Sequence, residues 1–193
     1  MTVRCSLFLM VFLLPLAGRL AWGQSPTPTD STKVVLTTSL GDITVALFDR
    51  KSPVTVKNFL AYVDSGFFAG TVFHRVIPGF MIQGGGYTAD LARRPTYPPI
   101  VSESNNGVKN WRGTLAMART SDPNSATSQF FINLVDNRNL DYRPGGPGYA
   151  VFGMVIEGME VVDSIARVPT ETREVFQNVP REPLVIISAK RKP

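Results

Sequence analysis

The chain has 193 residues, 44% of them hydrophobic, with 20 Lys and Arg against 15 Asp and Glu, and a single cysteine and a single histidine. One cysteine excludes an internal disulfide, and the pair is too few for a Cys/His zinc site. The formal charge of +5 is a mild basic excess, too small to argue for nucleic acid as a partner.

In chain order, Arg4 supplies a cation, Leu7 to Leu14 an apolar run, and Ala21-Trp22-Gly23 an ending in small residues. That succession is the pattern of a secretory signal peptide, expected over residues 1–23 with cleavage near Gly23/Gln24. The run is shorter than the roughly 20 residues a bilayer span needs, and Pro15 and Arg19 interrupt it, so no stable membrane association is expected after cleavage. Cleavage removes Cys5 together with Arg4 and Arg19, so the formal charge falls by two from +5, to +3. Residues 24–32 (QSPTPTDST) lack an apolar period and read as a flexible tether, which leaves 33–193 as one folded domain.

The domain opens with two β-branched alternating runs, Lys33 to Leu40 and Asp42 to Phe48, with Gly41 between them as a tight hairpin. Ser52-Pro53 starts a helix, with Ser52 as its N-cap and Pro53 at the first helical position. Val56, Phe59, Leu60 and Val63 recur at helical spacing up to a stop at Gly66. Short apolar runs follow at Thr71–Val76, Phe80–Gln83, Gly113–Ala118, Gln129–Asn133, Ala150–Val155 and Leu184–Lys190. A second helix is expected over Met159–Arg167, with Val161, Val162 and Ile165 inward and Pro169 ending it. Many short strands with two helices imply a mainly β domain, a closed antiparallel barrel or a sandwich.

Elimination narrows the chemistry. A serine triad could use only His74, and no Gly-x-Ser-x-Gly elbow accompanies it. Gly84-Gly85-Gly86 lacks the Gly-Lys-Ser/Thr of a phosphate loop, and Gly145-Gly146-Pro147-Gly148 opens no helix. What remains is a concentration of apolar and amide side chains over Phe73 to Gly86, joined by Ser128-Gln129-Phe130-Phe131-Ile132-Asn133. Strict alternation along the first of these runs puts Phe73 and Arg75 on one face. The turn at Pro78-Gly79 then brings back Phe80, Met81 and Gln83. Such a surface holds an apolar ring while a cation and amides engage a peptide backbone.

FHRVIPGFMIQGG, followed by GTLAMART, ATSQFFINL and YAVFGMVIEGM, resembles the cyclophilin family, and most of all its exported bacterial members. The resemblance runs from Val34 to Lys190. It implies an eight-stranded antiparallel β-barrel capped by two α-helices, and peptidyl-prolyl cis/trans isomerase activity needing no cofactor or metal. By motif, Arg75 takes the place of the catalytic arginine, with His74 as its pocket neighbour. Phe80, Met81 and Phe131 correspond to the walls of the proline pocket, and Leu140 closes its edge. Gln83 corresponds to the glutamine that holds Arg75 and the substrate backbone. Ala118 and Gln129 lie along the groove for residues preceding the proline.

Three positions depart from the familiar eukaryotic pattern. Arg119 replaces an asparagine, Asn139 a tryptophan that contributes to cyclosporin binding, and Tyr149 a pocket histidine. The resemblance implies proline-containing unfolded or partly folded polypeptides as partners, a monomer, and the periplasm as destination. A proline-binding module in which turnover is incidental is the alternative reading that the three departures keep open.

Overall fold

The structure, a computed structural model, describes residues 31–193. The expected signal segment and most of the tether therefore lie outside the described residues. Among the described residues, no helix is long and apolar enough to cross a membrane.

Strands β1 (Lys33–Thr38) and β2 (Gly41–Leu47) pair with Thr38 opposite Gly41, so Ser39 and Leu40 form the two-residue turn. Gly41 begins β2 at φ +131°, and a Cβ there would press on the Val161 side chain. Both facts favour glycine. Helix α1 (Pro53–Asp64) follows with Pro53 at its start, as its sequence predicts.

The expected cap does not form. Ser52 is fully buried, donates its hydroxyl to the Val151 carbonyl at 2.8 Å and accepts from Asn106 Nδ2 at 2.7 Å. The free amides of Val54 and Thr55 donate instead to the Glu103 carboxylate at 3.1 and 2.8 Å, and the Thr55 hydroxyl adds a third bond at 2.7 Å. A carboxylate also suits the positive end of the helix dipole. This cap comes from a distant loop, which local spacing does not reveal.

The remaining strands are β3 (Thr71–Ile77), β4 (Met81–Gly84), β5 (Thr114–Met117), β6 (Phe130–Asn133), β7 (Val151–Glu157), β8 (Thr170–Arg173), β9 (Phe176–Pro180) and β10 (Val185–Lys192). Helix α2 covers Met159–Ala166, with Val162 and Ile165 fully buried and Val161 half-buried near Gly41. Eight strands close an antiparallel barrel in the order β1-β10-β3-β4-β6-β5-β7-β2. Closure pairs every strand on both sides and leaves no barrel edge open. The β8–β9 hairpin is a separate two-stranded sheet packed over β3, and its polar sequence gave no strand signal.

The central strands bury side chains on both faces. Phe73, Val76, Ile82, Leu115, Phe130, Ile132 and Phe152 belong to the main core, where Phe59 of α1 packs 5.1 to 5.6 Å from Phe68, Phe130 and Phe152. Their chain neighbours Ile77, Met81, Ala116, Phe131 and Val151 form a second apolar cluster on the opposite face. Val151 is fully buried and belongs to this outer set.

The expected sharing of one face by Phe73 and Arg75 fails. A β-bulge between Phe73 and Arg75 breaks the register of β3 against β4. Phe73 points into the main core, whereas Arg75 lines a cavity on the other side with members of the outer cluster. An extra residue in one strand reverses the side-chain order beyond it, and here that turns Arg75 outward.

Candidate active site

The outer cluster is the floor of the site. Arg75, Phe80, Met81, Gln83, Ala118, Arg119, Phe131, Leu140 and Tyr149 line one open cavity of about 120 Å³. All nine were singled out in the sequence, and the barrel brings them together from β3, β4, the end of β5, β6 and two loops. Met81 and Phe131 are nearly fully buried, and Phe80, Leu140 and Tyr149 are half-buried around them. The Tyr149 ring meets Phe131 edge-on at 5.6 Å. Leu140 sits at the end of a 3-10 turn, Arg138–Leu140, and its carbonyl accepts from the Tyr149 amide at 3.0 Å, which fixes that rim.

The polar side of the cavity is a short relay. Arg75 Nη1 donates to Gln83 Oε1 at 3.4 Å, and Gln83 Nε2 donates to Gln129 Oε1 at 3.0 Å. The first contact is long and uses one of the five guanidinium N–H donors, so it orients the group and leaves the others for a substrate. Gln129 stands one step behind the cavity wall and sets the orientation of the Gln83 amide: oxygen toward Arg75, nitrogen toward Gln129. Gly86 makes room for this. A Cβ at Gly86 would collide with the Gln129 side chain, a role the sequence did not disclose beyond ruling out a phosphate loop.

Opposite the relay, Arg119 is tied into the wall. Its Nε and Nη2 donate to the Gly148 carbonyl at 3.0 and 2.9 Å, and Nη1 to the Thr120 carbonyl at 2.8 Å. Its guanidinium carbon lies 4.4 Å from the Tyr149 ring centre, a cation–π contact. Two of the three departures from the eukaryotic pattern thus stack on each other. The third, Asn139, is exposed outside the cavity, with its carbonyl accepting from Arg143 Nη2 at 3.1 Å.

His74, expected beside substrate, does not line the cavity. The bulge that turns Arg75 outward leaves His74 buried behind it, in edge contact with Tyr87 at 4.7 Å, and Tyr87 in turn meets Phe176 of β9 at 5.1 Å. Burial pushes its pKa down to about 4, outweighing a hydrogen bond to the Val72 backbone, and the nearby Arg75 charge adds to the lowering. His74 Nδ1 has no hydrogen-bond partner among the described residues. A neutral, enclosed imidazole is a packing element of the arginine's strand.

A sequence profile of the family described as "Cyclophilin type peptidyl-prolyl cis-trans isomerase/CLD" matches residues 33–191. The chain is 59% identical over 162 residues to peptidyl-prolyl cis-trans isomerase A of Dickeya dadantii, covering 84% of this chain and 85% of that protein. It is 52% identical over 158 residues to isomerase B of Escherichia coli, covering 80% and 96%. A cyclophilin-type isomerase from Cryptosporidium parvum, solved in the presence of the dipeptide Ala-Pro, superposes with a TM-score of 0.70 at 29% identity, covering 83% of this chain and 99% of that one.

Proposed function

The chain belongs to the cyclophilin-type peptidyl-prolyl cis-trans isomerases, and from that premise we propose that it accelerates X-Pro isomerisation in exported polypeptides through Arg75. The observation that carries this reading is a guanidinium held by an amide relay at the side of an apolar, ring-sized cavity.

The X-Pro bond resists rotation because twisting it breaks amide resonance, a barrier of about 18–20 kcal/mol. At the twisted geometry the prolyl nitrogen becomes pyramidal and gains a lone pair. With the ring seated against Phe80, Met81 and Phe131, Arg75 donates to that nitrogen. The contact is strongest when the bond is twisted and weak in either planar isomer, which is the condition for lowering a barrier. Gln83 holds the guanidinium and has capacity left for the substrate backbone. The apolar walls exclude water, which strengthens the charge's effect. No proton leaves Arg75, so the step needs neither base nor covalent intermediate. The proposed setting is the periplasm, which rests on the order of charge and apolarity in residues 1–23.

Exchange between cis and trans Ala-Pro in a short peptide, followed by NMR without a coupling protease, tests the assignment. Arg75→Ala is expected to lower kcat/KM at least about a hundredfold, the scale of losing one preorganised donor at a transition state. Turnover equal to wild type would remove Arg75 from the mechanism.

A further inference from the structure

Two guanidinium groups, Arg75 and Arg119, face one cavity whose lining contains no Asp or Glu. Among the described residues, neither has a carboxylate partner: Arg75 contacts Gln83, and Arg119 contacts two backbone carbonyls and the Tyr149 ring. Asp122, three residues beyond Arg119, accepts from the Asn124 amide at 2.9 Å instead. Arg94 is held in a similar way, by the Phe67 and Ala69 carbonyls and the Phe67 ring, whereas cations elsewhere have carboxylate partners. Arg112 pairs with Asp163, Arg191 with Asp64 and Lys192 with Glu157.

Arg119 is also rigid for its type. Three of its nitrogens donate to the backbone and its plane lies near an aromatic ring, so little side-chain entropy remains to be lost when an anion arrives. A guanidinium has five N–H donors, so two remain after those three bonds. Arg119 is the one residue that lines both the cavity and a smaller recess walled by Ile100, Met117, Pro123 and Ala126.

We propose that Arg119 is a specificity-determining residue that makes the groove select peptides with an acidic side chain immediately before the proline. This rests on the reading that the cavity seats the proline and that preceding residues run past Ala118 and Gln129. The carboxylate accepts from the two remaining Arg119 donors, with Tyr149 holding the guanidinium in place. Neither change of residue accounts for this alone: the arginine brings the charge, and the tyrosine brings the ring that fixes it.

The test compares Glu-Pro, Gln-Pro and Ala-Pro peptides of otherwise equal sequence, with kcat/KM from NMR exchange and affinity from NMR titration of the same peptides. Wild type is expected to favour Glu over Gln by about three- to fivefold at low salt, the range of a partly exposed ion pair. The ratio should shrink toward one in 0.5 M salt, where screening is short-ranged, and in Arg119→Gln. Because the readout is a ratio within each protein, an overall loss of activity in the variant does not affect it. A ratio near one in wild type, or one unchanged by Arg119→Gln, overturns the proposal. Absent turnover of every peptide with the Glu preference retained in binding would sink the isomerase reading and leave this one standing.

Discussion

The bulge at His74 and Arg75 shows how one residue of extra chain decides the chemistry at a site. Without it Arg75 would follow Phe73 into the barrel, where a guanidinium without a partner costs several kcal/mol. With it, the cation reaches the outer face and the neutral imidazole takes the buried position. That arrangement has a measurable consequence. The imidazole has an ordinary pKa of 6.5 when unfolded and about 4 when folded, so between those values the unfolded chain binds more protons. Stability is therefore full above about pH 6.5, falls as the pH drops toward 4, and loses on the order of 3 kcal/mol across that window. His74 is the protein's one histidine, so the assignment is clean. Denaturant midpoints measured from pH 7 to 4 should show this slope in wild type and a much flatter one in His74→Gln. Equal slopes would mean that the imidazole is solvated in the native state.

Helix α1 illustrates the element scale, because its apolar face was legible and its cap was not. Val56, Phe59 and Val63 recur at helical spacing and are buried as that spacing requires. Ser52 had the composition of a cap, yet its hydroxyl is used to tie the helix start to β7 through Val151. Glu103 meets the exposed amides from a loop 49 residues away in sequence. Glu103→Ala is expected to destabilise the protein by about 1–2 kcal/mol, the usual scale of a lost cap. Urea unfolding would read this as a lower midpoint with an unchanged slope. A midpoint within error of wild type would show that water replaces the carboxylate without loss. The β8–β9 hairpin escaped the sequence for a related reason: Thr170 to Arg173 is polar throughout, and its strand conformation follows from packing over β3.

At the scale of the molecule, stability rests on closing the barrel, and β10 is the strand that closes it between β1 and β3. Ile186 is fully buried there, while Arg191 and Asp64 form an ion pair with each side chain about half exposed. Ile186→Ala should cost about 2–5 kcal/mol, and Arg191→Ala less than about 1 kcal/mol, in chemical denaturation. The reverse order would mean that surface charge, not burial, holds the strand. Alternating apolar runs with Gly and Pro punctuation were enough to determine a mainly β domain and both helices, and the family's motifs, GTLAMART and YAVFGMVIEGM among them, pointed to the family and to the nine cavity residues. They sufficed because burial imposes period 2 on strands and because the family's motifs are contiguous in sequence. Only the tertiary structure decided that Phe73 and Arg75 face opposite ways, that His74 is walled off and that Glu103 caps α1. It alone placed Arg119 upon Tyr149, 30 positions later in the sequence. Each of these depends on register or on contacts between distant segments, which become fixed only when the barrel closes.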